Sequence, residues 1–202
     1  MTELAYSAAA ERNKQAILTV LRTFLPPRGV ALEIACGTGQ HVAWFGANLP
    51  QWTWEPTDLK ADLFPDIMVR IGEARLGNVL PPRLLNVLGE AWRIEREDPD
   101  LIYCANMLHI APWSCCAGLM RGAARHLAAG GRLVTYGPCL EDDVSTSEGN
   151  LKFDAALRDE NPDWGIRRRE AVEQVAHAAG LQLVARHAMP ANNLLLVWER
   201  AD

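Results

Sequence analysis

Two rhythms of apolar positions run along the chain, one near 3.6 and one near 2, and they alternate. Ile17, Val20, Leu21, Phe24 and Leu25 recur at helical spacing. They predict a helix over residues 8–25, with Ser7 as N-cap and Pro26-Pro27 as the stop. Val30 to Ile34 is a short β-type run, broken by a glycine turn and followed by a mostly apolar helix over 42–49. The alternation Trp52-Thr53-Trp54 predicts a second strand over 51–55, ending at Pro56-Thr57-Asp58. A helix over 60–77 follows, with Pro65 in its first turn, and then a short strand over 83–87. Leu101 to Ala105 is apolar throughout, the mark of a central parallel strand. Cys116, Leu119, Met120, Ala123 and Leu127 predict a helix over 113–127, closed by Gly130-Gly131. A fifth strand spans 132–136. The acidic, Ser/Gly-containing stretch 140–150 reads as a mobile loop, and 151–160 as a short helix. Arg167-Arg168-Arg169 opens the last helix on a solvated face and Gly180 ends it. Residues 181–188 and 193–198 read as an antiparallel hairpin. The order predicts an α/β fold: a mostly parallel seven-stranded sheet, closed by that C-terminal hairpin, with helices on both faces. No linker divides it, so one domain over 1–202 is expected.

Composition narrows the function. Of 202 residues 49% are apolar, enough for a sizeable core, and the net charge of −5 leaves no basic footprint for nucleic acid. No apolar run reaches membrane-spanning length and no signal-peptide pattern opens the chain. The five cysteines are an odd number without C-x-x-C spacing. They predict reduced thiols in a cytoplasmic protein, with no metal site.

The chemistry is concentrated in two stretches. The first is Glu33-Ile34-Ala35-Cys36-Gly37-Thr38-Gly39-Gln40-His41. Strand, glycine turn and helix are the opening of a nucleotide-type fold, in which the backbone passes close to a ligand. The dinucleotide pattern G-x-G-x-x-G is not met, because Val42 stands where the third glycine belongs. Asp58 follows the turn at the spacing where an acid takes ribose hydroxyls, although helix capping explains an Asp there as well. Glu55 is the competing acid. The second stretch is Asn106-Met107-Leu108-His109-Ile110-Ala111-Pro112-Trp113, just beyond the central strand, where an open α/β sheet has its ligand crevice. Asn106 and His109 are its candidate catalytic groups. His109 could act as a general base, shape the pocket, or only fasten the loop. The polar run Glu11-Arg12-Asn13-Lys14 reads as a solvated helix start, or as part of a roof over a ligand.

An acid at the end of the first strand, then Gly37-Thr38-Gly39, resembles the E/D-x-G-x-G-x-G motif of class I S-adenosylmethionine-dependent methyltransferases, with Ala35 in place of the first glycine. The motif stretches also resemble the methyltransferase-like 26 family, grouped under a domain of unknown function. Besides the two stretches above, they include Tyr136-Gly137-Pro138, Asp163-Trp164-Gly165 and Met189-Pro190-Ala191-Asn192. The resemblance implies a Rossmann-like class I methyltransferase fold and binding of S-adenosylmethionine, with S-adenosylhomocysteine as product. It implies that Glu33, Ala35, Gly37 and Gly39 hold the methionine part and Asp58 the ribose. Asn86 and Val87 would meet the adenine, Asn106 and Asn13 would complete the site, and a small molecule would be the acceptor. A non-catalytic binder of the same ligand is the second class. A nicotinamide-dependent oxidoreductase is the third; the missing glycine and the closing hairpin speak against it.

Overall fold

The computed structural model describes residues 3–201. Helix α1 (Ala8–Leu21) opens the fold, and the Ser7 hydroxyl accepts from the Ala10 N–H at 3.2 Å, as the expected cap. The helix ends at Leu21, short of the expected residue 25, because the chain leaves it through short-range turns at Thr23 and Phe24. Pro26 then bars helical dihedrals for the residue before it. Strand β1 (Gly29–Ile34) leads through the glycine turn into α2 (Gln40–Asn48). Strand β2 (Trp52–Asp58) and helix α3 (Phe64–Glu73) come next, then the two-residue strand β3 (Arg83–Leu84). Strand pairing at β3 covers only part of the expected 83–87 run. Strand β4 (Leu101–Ala105), α4 (Ser114–His126) and β5 (Arg132–Leu140) complete the parallel core. Helix α5 (Glu148–Glu160), strand β6 (Arg167–Arg168), α6 (Arg169–Ala178), β7 (Leu181–Met189) and β8 (Asn193–Arg200) follow.

The sheet order is β3-β2-β1-β4-β5-β8-β7, with β6 beside β5 off this path. Strands β1 to β5 pair in parallel, and β8 runs antiparallel to both β5 and β7. The sheet therefore has eight strands, one more than expected. The extra one is Arg167–Arg168, where the sequence read a helix start. The Ser/Gly stretch also departs from expectation: Glu141 bridges Val144, and α5 begins already at Glu148, capped by Ser147. Strand residues alternate between two cores. Leu32, Ile34, Ile102, Cys104, Leu196 and Trp198 pack towards α4 and α6. Ala31, Trp52, Trp54, Leu101, Tyr103 and Val197 pack towards α1, α2 and α3. Glu33 alternates with Leu32 and Ile34 and lies in this second layer, 1% exposed. The chain reverses direction across the sheet between β1 and β4, the position where open α/β sheets bind ligands.

Candidate functional site

A cavity of about 460 Å³ opens at the carboxyl ends of β1, β2 and β4. That is within the ~300–1,000 Å³ of small-molecule sites. Its floor is the turn from Ala35 to Thr38. Ala35 takes φ +57°, Gly37 +54° and Gly39 +72°. The position where the motif has its first glycine thus has the left-handed backbone that glycine favours, held here by alanine. A side chain at Gly37 would meet nothing within 4 Å, whereas one at Gly39 would come within 2.7 Å of the Ile67 side chain. Gly37 faces the cavity. Gly39 does not line it; its work is close packing of α2 on α3.

Asp58, at the end of β2, lines the same cavity and accepts the Gly37 N–H at 2.9 Å. Glu55 is turned away, its carboxylate accepting the N–H groups of Glu95 and Arg96 at 2.8–3.0 Å. Asn86 and Val87 are in the opposite wall with Leu85. The Asn86 amide oxygen accepts from the Leu88 N–H at 3.0 Å, which turns its own loop. Asn106 lines the cavity at φ +59°, its N–H donated to the Tyr136 carbonyl at 2.8 Å. The rest of the wall is apolar: Met107, Ile110, Ala111 and Pro112.

Besides Gly39, three expected residues lie elsewhere. Glu33 sits under the turn, off the lining. One oxygen lies 4.0 Å from His41 Nδ1 and the other has no partner. Burial, with Asp58 close by, raises its pKa well above the ordinary carboxyl value. Asn13 is buried rather than solvated, its amide oxygen 2.6 Å from His41 Nε2. The polar start of α1 is stitched to α2: Gln40 donates to Glu11 at 3.1 Å and accepts the Ser7 N–H at 2.5 Å. Only Ser7 and Ala10 of this helix face the cavity. His109 lines a separate small space with Thr135, Tyr136 and Gly137. Its ring meets Phe153 of α5 edge-on at 5.6 Å, and burial, with Arg167 near, lowers its pKa to about 4.

His41 has no assigned role from the sequence, yet it lines the cavity. Its only sequence signal is its place at the junction of turn and helix. Burial lowers its pKa to about 4, with Lys14 adding to the shift. The stretch 106–113 is clasped from the other side. Arg167 donates to the carbonyls of Leu108 at 3.0 Å, Ala111 at 2.8 Å and Asp163 at 2.6 Å, and stacks over Trp113. Gly165 donates to the His109 carbonyl at 2.9 Å. Arg167 is therefore spent inside the fold, whereas Arg168 stays on the solvated face and pairs with Asp142.

The chain is similar in structure to methyltransferases. An O-methyltransferase family protein from Burkholderia thailandensis superposes with a TM-score of 0.78 at 21% identity, covering 96% of this chain and 58% of that one. An O-methyltransferase family 2 protein from Planctomyces limnophilus, solved with apigenin, gives 0.73 at 19%, covering 96% and 62%. Human N-acetylserotonin methyltransferase, solved with S-adenosylmethionine, gives 0.71 at 12%, covering 96% and 53%. The chain spans less than two thirds of each. The architecture is that of the class I methyltransferase fold. A family model matches residues 4–200, and the chain belongs to the family it describes, "Protein of unknown function (DUF938)".

Proposed function

We propose that the chain is an S-adenosylmethionine-dependent methyltransferase acting on a small molecule, a single cytoplasmic domain over 1–202. The observation that carries this reading is the Gly37–Asp58 hydrogen bond at the rim of the cavity. It ties the glycine turn to an acid at the ribose position, with apolar walls on either side. The residues fit the cofactor. Gly37 leaves open space, Asp58 offers oxygens to two hydroxyls, and Val87, Leu85 and Met107 flank an aromatic ring. The unpartnered Glu33 oxygen leaves an acceptor beneath the turn for a cationic tail, whose approach would favour the ionised carboxylate. The likeness to methyltransferase-like 26 along the motif stretches adds to the reading.

When bound, the cofactor supplies an electrophilic methyl group on a cationic sulfur, already a good leaving group. The chain's own work is then alignment and exclusion of water. Asp58, Asn86 and Val87 fix the nucleoside end, and Ala35 to Gly37 the other end. Asn106, held in its left-handed conformation by the Tyr136 carbonyl, borders the acceptor side. His109, neutral and packed on Phe153, backs that side from the adjoining space.

Calorimetry tests the reading. S-adenosylhomocysteine should bind and NAD should not. Asp58→Ala should weaken binding by about 1.5–3 kcal/mol, the worth of hydrogen bonds to a charged group. Tighter binding of NAD would remove the methyltransferase reading. Cofactor binding without turnover of any acceptor would favour the non-catalytic class.

A further inference from the structure

The cavity's titratable groups restrict what can react in it. Among the described residues four line it: Cys36, His41, Asp58 and Cys115. Asp58 accepts the N–H groups of Gly37 and Lys60, at 2.9 and 3.3 Å, and its remaining lone pairs are the ones assigned above to the ribose hydroxyls. The His41 Nε2 is engaged with Asn13, its Nδ1 faces the Tyr103 hydroxyl at 3.4 Å, and its basicity is low. Burial raises both thiols, so neither is a base at neutral pH. His109 belongs to the adjoining space and is an equally weak base. No lysine or arginine lines the cavity among the described residues. Two of the lining residues, Leu59 and Ile110, are apolar and exposed, at 61% and 44%.

These walls favour an apolar body and give little help in removing a proton. An aliphatic hydroxyl, almost as weak an acid as water, needs a strong base. An alkyl ammonium, near 10.4, leaves only about one molecule in a thousand free at pH 7. A thiol, near 8.5, is a few per cent thiolate at that pH and intrinsically a strong nucleophile. A carboxylate keeps its tight hydration shell, and no cationic side chain here replaces it.

We infer that the methyl acceptor is a small apolar thiol that ionises without help from a protein base. This rests on the methyltransferase reading above. The thiol proton goes to bulk water. The sulfur lone pair then forms the new S–CH3 bond as the donor's S–CH3 bond breaks. The electrons of that bond stay on the donor's sulfur, which becomes a neutral thioether, so the negative and positive charges cancel.

The test uses the full chain, S-adenosylmethionine and four acceptors with one aromatic body: benzyl mercaptan, benzyl alcohol, benzylamine and phenylacetate. Methylated products are read by mass spectrometry, with S-adenosylhomocysteine binding measured in parallel by calorimetry. The S-methyl product should exceed each of the others by at least about a hundredfold, the lower end of what a general base contributes. Its rate should climb about tenfold per pH unit between roughly pH 6 and 8, following the thiolate fraction. A more acidic aromatic thiol should move that rise to lower pH. Preference for the alcohol, amine or carboxylate overturns the inference, and so does failure to methylate any thiol while S-adenosylhomocysteine binds. A pH profile independent of the acceptor's acidity also overturns it. Absence of S-adenosylhomocysteine binding removes the methyltransferase reading itself, and the inference with it.

Discussion

Ala35 occupies a left-handed position that costs an L-residue roughly 1–2 kcal/mol relative to glycine. Glycine would relieve that cost but lose about 0.4–1 kcal/mol through the freer unfolded chain. Ala35→Gly should therefore be neutral to about 1 kcal/mol stabilising in urea unfolding. Ala35→Val, β-branched at positive φ, should destabilise by more than 1–2 kcal/mol. A clearly destabilised glycine variant would show that the methyl group, not the backbone, matters at this turn. The sequence marks the position by its place in the motif, but alanine hides the conformation. Only the neighbouring contacts show that Gly37 leaves room for a ligand while Gly39 packs on Ile67.

At the scale of elements, the loop after β4 is held by one side chain. Arg167 satisfies three carbonyls on two segments, something a point-charge ammonium with a narrower reach cannot reproduce. Arg167→Lys should cost about 2 kcal/mol, from hydrogen bonds made by a charged group. Amide exchange should locate the loss: the Gly165 N–H, bonded to the His109 carbonyl, should lose protection before the β1–β4 ladder does. Uniform loss across the sheet would mean that the clasp is part of the global core instead. Along the sequence this run reads as a solvated face, because charge runs usually are one. The pairing of Arg167 with backbone oxygens 56 and 59 residues away carries no local signal.

Across the whole molecule, buried ionisable groups tie stability to pH in opposite directions. His41 and His109 titrate near 4 in the fold, against 6.5 for an ordinary imidazole. The unfolded chain therefore binds more protons between those values. Their contribution is complete above about pH 6.5 and is lost as pH falls towards 4, each up to roughly 3 kcal/mol. Glu33 works the other way. Its raised pKa means that the fold favours the protonated acid, so its cost grows as pH rises above about 4.5. Glu33→Gln, neutral at every pH, should be more stable than the parent at pH 7, with the gap closing towards pH 4. The same variant should bind S-adenosylhomocysteine more weakly. Urea midpoints at several pH values check both signs, and a variant less stable at pH 7 would mean that the carboxyl is ionised and paired in the fold.

Periodicity by itself determined the order of helices and strands, because burial of one face writes its period into the chain. It determined the parallel core and the closing hairpin as well, since Leu101 to Ala105 is apolar throughout and 181–198 carries two runs around a Pro-Asn turn. The glycine motif and the spacing of the acid placed Gly37 and Asp58, the end of the central strand placed Asn106, and the methyltransferase resemblance implied Asn86; all four line one cavity. The sequence favoured Asp58 over Glu55 for its place at the strand end; tertiary structure alone gave Glu55 its other partners, the N–H groups of residues 95–96. It alone paired the eighth strand, buried Asn13 against His41 and enclosed His109 with Phe153. Each of those contacts joins residues distant in the chain, and a contact of that kind leaves no period and no spacing in the sequence.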